Sequence, residues 1–157
     1  MVYLIGGLAR SGKSTIRTIF LKEYGIAGIS IDSIRHMLLE NDPDIGIDPQ
    51  NNTPSVDGPL IYPYLDSLVR HFTEREIEDY LVEGDVLLPE FLSRYKDNLM
   101  VTSCCIGFSE ISVKEKVHLI RENSCDGDFT KEYSDEELNE FVKNAIRKSI
   151  RYKKECK

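Results

Sequence analysis

Gly7-Leu8-Ala9-Arg10-Ser11-Gly12-Lys13-Ser14 is the stretch on which the fold turns. Its spacing is G-x-x-x-x-G-K-[ST], and what flanks it matters as much as the motif. Before it, Val2-Tyr3-Leu4-Ile5 has the length and the β-branched or aromatic content of a buried strand. After it, Thr15 to Tyr24 repeats apolar residues at Ile16, Ile19 and Phe20, a helical interval. Strand, glycine loop and helix in that order predict backbone N–H groups wrapped around a phosphate chain, at a helix N-terminus carrying about half a positive charge. The residues expected at the phosphates are Gly7, Leu8, Ala9, Arg10, Ser11, Gly12, Lys13, Ser14 and Thr15. Lys13 is expected to reach the β- and γ-phosphates, and Ser14 to offer its hydroxyl to Mg²⁺.

The bulk composition narrows the partners. At 157 residues, the length of one domain, the chain can bury most of its apolar surface without metal or disulfide staples. Twenty Lys and Arg against 27 Asp and Glu give a net charge of −7, so no chain-wide positive field exists to attract nucleic acid. Cys104, Cys105, Cys125 and Cys156 form no C-x-x-C pair and have no histidine at zinc spacing; they read as reduced thiols. No apolar run approaches the roughly 18 residues of a membrane span, and Met1-Val2 leads straight into the first strand with no charged leader. A cytoplasmic protein with no membrane partner is expected.

Further along, Gly25 breaks the first helix, Ile26 to Ile31 reads as a second strand, and Asp32-Ser33 starts a helix running to Glu40. Residues Asn41 to Pro59 are rich in proline, Asp and Asn without periodicity, which predicts a long loop inserted on the substrate side. Leu60 to Asp79 has near-helical apolar spacing, including Leu65, Leu68 and Ile77. Tyr80-Leu81-Val82 reads as a third strand, Pro89 to Tyr95 as a short helix and Leu99 to Phe108 as a fourth, apolar strand. Ser112 with Glu115, and Ser134 with Glu137, predict capping boxes for the last two helices. The final helix carries a stripe of Leu138, Phe141, Val142, Ala145 and Ile146, expected to pack on the sheet. Strands alternating with helices predict an α/β fold: a three-layer P-loop NTPase arrangement with a parallel sheet of about four strands flanked by helices. One domain is expected over residues 1–157, with a lid over residues 121–133.

In open parallel sheets, ligands sit beyond the C-terminal strand ends, which here deliver the glycine loop, Asp32, and Glu83 with Asp85. The glycine loop followed one βα unit later by Asp32-Ser33-Ile34-Arg35 resembles P-loop kinases that phosphorylate hydroxyl groups, such as polynucleotide kinases and chloramphenicol phosphotransferase. The run Leu81-Val82-Glu83-Gly84-Asp85 resembles proteins described as adenylate-kinase-like or 2-phosphoglycerate-kinase-like. The resemblance implies an ATP- and Mg²⁺-dependent phosphotransferase for a small-molecule or nucleotide acceptor. It makes Asp32 the base that takes the acceptor's proton, and Arg35 a clamp on an anionic or hydroxyl group of the acceptor. The residues alone also allow Asp32 to be an ordinary helix cap.

Glu83 and Asp85 are candidates for the acceptor, and Ser14, Asp32 and Glu83 for Mg²⁺. Arg121, just before the irregular stretch Asn123 to Lys131, is the expected lid arginine over the γ-phosphate, with Arg10 as a second candidate. A nucleotide-binding regulatory module with little acceptor activity is the alternative. A GTPase switch is disfavoured, because neither N-K-x-D nor D-x-x-G occurs. The run Arg151 to Lys157 stays charged and helical, so no fifth strand is expected, and the exposed edge of the fourth strand calls for cover by the terminal helix or by a second copy in a homodimer.

Overall fold

β1 (Val2–Gly7) runs out of the centre of a parallel sheet straight into the glycine loop, and α1 (Lys13–Tyr24) begins on the motif lysine. This computed structural model describes residues 1–50, 53–75 and 78–156. The remaining elements are β2 (Ala27–Ser30), α2 (Ile31–Asn41), α3 (Pro54–Arg75), β3 (Tyr80–Glu83), α4 (Pro89–Leu92), β4 (Val101–Ile106), α5 (Val113–Glu122) and α6 (Asp135–Glu155). Strand order is β2-β3-β1-β4, and every pairing is parallel. The register aligns Ile5 with Glu83, Glu83 with Ser30, and Gly7 with Ile106, so all four strands present their C-terminal ends on one side. Neighbouring β1 and β3 send their connections in opposite directions, β1 to β2 and β3 to β4, which opens a crevice beyond their ends.

The main core fills the space between the sheet and α2, α3 and α4, around Leu4, Ile31, Ile61, Leu65, Leu87 and Phe91. A second cluster, Ile120, Leu138 and Val142, joins α5 to α6. A third, Leu8, Leu88, Ala145 and Tyr152, sets the far half of α6 against the glycine loop. The stripe on the last helix therefore packs first on α5 and only later near the sheet, not along the sheet as its period suggested.

Three further expectations change. The loop over Asn41 to Pro59 is shorter than its composition implies. Pro43–Ile45 forms a 3₁₀ turn, Ile47 is buried in the main core, and α3 starts at Pro54 and continues through Pro59 and Pro63. Both internal prolines sit on the exposed side, while Ile61, Tyr62 and Leu65 bury the other side, so packing outweighs the lost backbone bonds. Residues 51 and 52 of that expected loop, and Ile77 of the expected helix, lie outside the described residues. Of β4, Thr102, Ser103 and Cys104 are exposed. Only its C-terminal end meets α6, where Ser149 Oγ accepts from the Phe108 N–H at 2.9 Å. Ser112 accepts from the Glu115 N–H alone, whereas Ser134 and Glu137 form the full reciprocal box.

Candidate active site

The glycine loop is shaped by backbone freedom at two positions. Gly7 has φ of 137°, and a Cβ there would lie 2.2 Å from the Ile106 carbonyl oxygen. Gly12, with φ of 97°, caps α1 without a side chain. Inside the loop, Lys13 is 8% exposed and its Nζ donates to the Leu8 carbonyl at 2.8 Å. Burial pulls the Lys13 ammonium below its ordinary pKa, against the opposing pull of Asp85, Glu83 and Asp32. Ser11 Oγ is buried with no hydrogen-bond partner, an orphan polar atom in the loop itself.

Carboxylates converge on that lysine from the neighbouring strand ends. Glu83, at the end of β3 and 2% exposed, receives the Ser14 hydroxyl at 3.1 Å and the Arg17 Nε at 3.3 Å. Asp85, two residues on, has its pKa raised by burial and then by facing Asp32, with Lys13 and Arg35 pulling it down. Asp32 is exposed and is not the helix cap; Ser30 caps α2 by accepting from the Asp32 N–H at 3.3 Å. The capping role that would explain Asp32 away belongs to another residue.

The arginines stand differently from expectation. Arg35 lies near Asp85 but its Nη2 is 3.0 Å from both the Asp48 carbonyl and the buried Asp57 carboxylate, so its guanidinium is already occupied. Arg121 does not point to the glycine loop. It donates to the Thr130 carbonyl at 3.1 Å, the Tyr133 carbonyl at 2.7 Å and Asp135 Oδ1 at 3.1 Å, tying the segment after α5 to itself. Its place over the loop is taken by two other cations. Arg10 extends from the loop to Asp128, 2.6 Å away. Lys116 of α5, which the sequence did not single out, donates to the Arg10 carbonyl at 2.7 Å and stands 4.3 Å over the Phe108 ring. Lys114 and Lys116 alternate along one short helix, and no motif distinguishes the one that faces the loop.

Compared with known proteins, no family model matches the chain, and no curated protein matches it. Among solved structures it is similar to shikimate kinase from Bacteroides thetaiotaomicron, with a TM-score of 0.63 and 14% identity over 99% of this chain and 82% of that one. The chain has the fold of a P-loop kinase. Looser likenesses are to shikimate kinase from Aquifex aeolicus, with a TM-score of 0.49, 19% identity and coverage of 95% of this chain and 82% of that one. An uncharacterised protein from Eubacterium ventriosum gives a TM-score of 0.46 and 16% identity, over 96% of this chain and 74% of that one.

On this P-loop kinase fold the residues present fit a nucleotide and its metal. The orphan Ser11 hydroxyl, the positive-φ glycines and a lysine folded back on its own loop form a cradle whose polar groups suit an anion. Among the described residues no group of three or more His, Cys, Asp or Glu could hold a metal unaided. Mg²⁺ requires only one or two protein oxygens beside phosphate oxygens, and Ser14 and Glu83, 3.1 Å apart, are the residues that would supply them. No helix among the described residues is long and apolar enough to cross a membrane.

Proposed function

We propose that this protein is an ATP-dependent phosphotransferase that moves the γ-phosphate to a hydroxyl or phosphate of a small molecule or nucleotide. The observation that carries the reading is the uncommitted carboxylate of Asp32, exposed at the end of β2 beside the phosphate loop and facing Asp85 and Lys13. Asp32 takes the proton of the attacking hydroxyl. Lys13 exchanges the Leu8 carbonyl for phosphate oxygens, trading a neutral acceptor for a charged one. Glu83 fixes the Ser14 hydroxyl, and Arg17 in turn fixes Glu83. Asp85 and Arg35 border the acceptor side. Mg²⁺, when bound, neutralises charge on the β- and γ-oxygens.

The test is ATP consumption over a library of hydroxyl-bearing metabolites. Asp32→Asn should cut acceptor phosphorylation roughly 10²- to 10⁴-fold with ATP affinity little changed, and Lys13→Ala should remove nucleotide binding itself. Full turnover in Asp32→Asn would discard the proposed base. One observation favours a regulatory nucleotide-binding module instead: Arg121 and Arg35 are both bound to groups of their own chain. That reading is upheld if ATP binds through Lys13 and no acceptor is phosphorylated.

A further inference from the structure

Arg10 is the sole described non-glycine residue with a positive φ, 61°, a conformation that side chains avoid and that clusters at functional sites. From the phosphate loop its guanidinium crosses to the segment after α5. Nη1 is 2.6 Å from Asp128 Oδ2, and Nη2 donates to the carbonyls of Ile120 at 3.4 Å and Asn123 at 3.3 Å. The Asp128 side chain is 3% exposed, and its other oxygen accepts from the Thr130 N–H at 3.0 Å and hydroxyl at 2.7 Å. The pair is close yet poorly aligned: Arg10 Nε and Asp128 Oδ2 are both buried without a hydrogen bond. A buried carboxylate has thus been brought to the phosphate-loop cation that reaches out of the loop, while Lys13 stays folded inside it.

We propose that Asp128 is a built-in substitute for phosphate, holding Arg10 off the nucleotide until the phosphate chain displaces it. The inference rests on the phosphate-binding reading of the loop. Carboxylate and phosphate offer a guanidinium the same planar pair of oxygens, but a triphosphate carries more charge and brings better-aligned acceptors. Arg10 already has its backbone in the loop, so only its side chain has to swing. Arg121 keeps Thr130, Tyr133 and Asp135 attached to α5. The exchange therefore releases the stretch 124–129 from the phosphate loop and loosens it, while Thr130 on Asp128 and Phe129 on Tyr133 and Phe141 leave the rest of the segment in place. Arg10 then supplies the positive charge that Arg121, so committed, does not.

Calorimetric titration with inorganic tripolyphosphate and with ATP tests this. Asp128→Asn keeps the acceptor for Thr130 and removes the competing charge, so both ligands should bind roughly 5- to 50-fold more tightly than to the unaltered protein. In an Arg10→Ala background the same substitution should give no gain. In the unaltered protein, ATP should speed amide exchange at residues 124–129, a measurement that does not depend on any variant folding. Unchanged affinity in Asp128→Asn, a gain that persists without Arg10, or unaltered exchange at 124–129 would each overturn the exchange. Failure of the kinase reading looks different: the binding shifts appear and no acceptor is phosphorylated.

Discussion

Asp85, buried near Asp32 and Lys13, carries its charge at neutral pH at a cost in stability. Burial and Asp32 raise the Asp85 pKa above its ordinary value, so the folded state binds that proton more readily than the unfolded state. Stability from this group is present in acid, and it falls as pH rises from the ordinary carboxylate value through the raised one. Asp85→Asn removes the loss. At neutral pH the variant should melt roughly 2–4 °C higher, the shift that 1 kcal/mol gives in a chain of this size. The advantage should vanish below the ordinary carboxylate range. Melting curves across pH decide it: a variant no more stable at pH 7, or equally favoured in acid, means the two carboxylates are not in conflict. At this scale the sequence was legible where chemistry is local. Lys13 and Ser14 follow from the motif, and Glu83 from its place after an apolar run. The contacts of Arg10 with Ile120 and of Lys116 with Arg10 span 110 and 106 residues, and no spacing rule reaches that far.

The elements divide along the same line. α6 was readable because its signals are its own: Ser134 Oγ accepts from the Glu137 N–H at 3.2 Å, and Glu137 returns the bond to the Ser134 N–H at 2.8 Å. Asp135, Glu136 and Glu137 in its first turn and Lys153 and Lys154 in its last complement the helix dipole. Ser134→Ala should therefore cost about 1 kcal/mol, seen as a fall of roughly 2–4 °C in Tm. Each substitution removes one side-chain bond, but on α6 it also unsettles the return bond from Glu137 to the backbone N–H of residue 134, so Ser112→Ala on α5, which has no such return bond, should cost less. Equal losses would show that the reciprocal bond adds nothing. Only the start of α3, Pro54 to Pro59, was hidden, because it obeys tertiary packing and not propensity. Pro54, Gly58, Pro59 and Pro63 argue locally for a loop, yet Tyr62 stacks on Phe91 with centroids 4.4 Å apart and donates its hydroxyl to the Val86 carbonyl. Those partners come from a segment that follows β3, so the energy that makes the helix is invisible within it.

Across the whole molecule the clusters are unequal, and the inequality falls at the phosphate loop. The main core joins all four strands to α2, α3 and α4, whereas α5 and the first half of α6 close mainly on each other around Ile120, Leu138 and Val142. Among the fastenings that tie that helix pair to the rest are Arg10 with Asp128 and the Ile120 carbonyl, Lys116 with the Arg10 carbonyl, Ser149 with the Phe108 N–H, and Ala145 and Tyr152 in the cluster with Leu8 and Leu88. Few buried apolar contacts across a boundary mean a low free energy of local opening. Amides of α5 should therefore exchange through an opening that β1 and β3 do not share. Tyr152, 8% exposed, sits where the helix meets the loop, and truncating a buried aromatic to alanine costs about 3–5 kcal/mol. Tyr152→Ala should thus speed exchange in α5 and α6 at denaturant concentrations that leave β1 and β3 protected. Nucleotide bound through Lys13 should protect the loop while residues 124–129 loosen. If α5 and β1 instead open with one free energy in both proteins, the molecule is a single cooperative unit. A site that works by local release of one segment then has no mechanical basis.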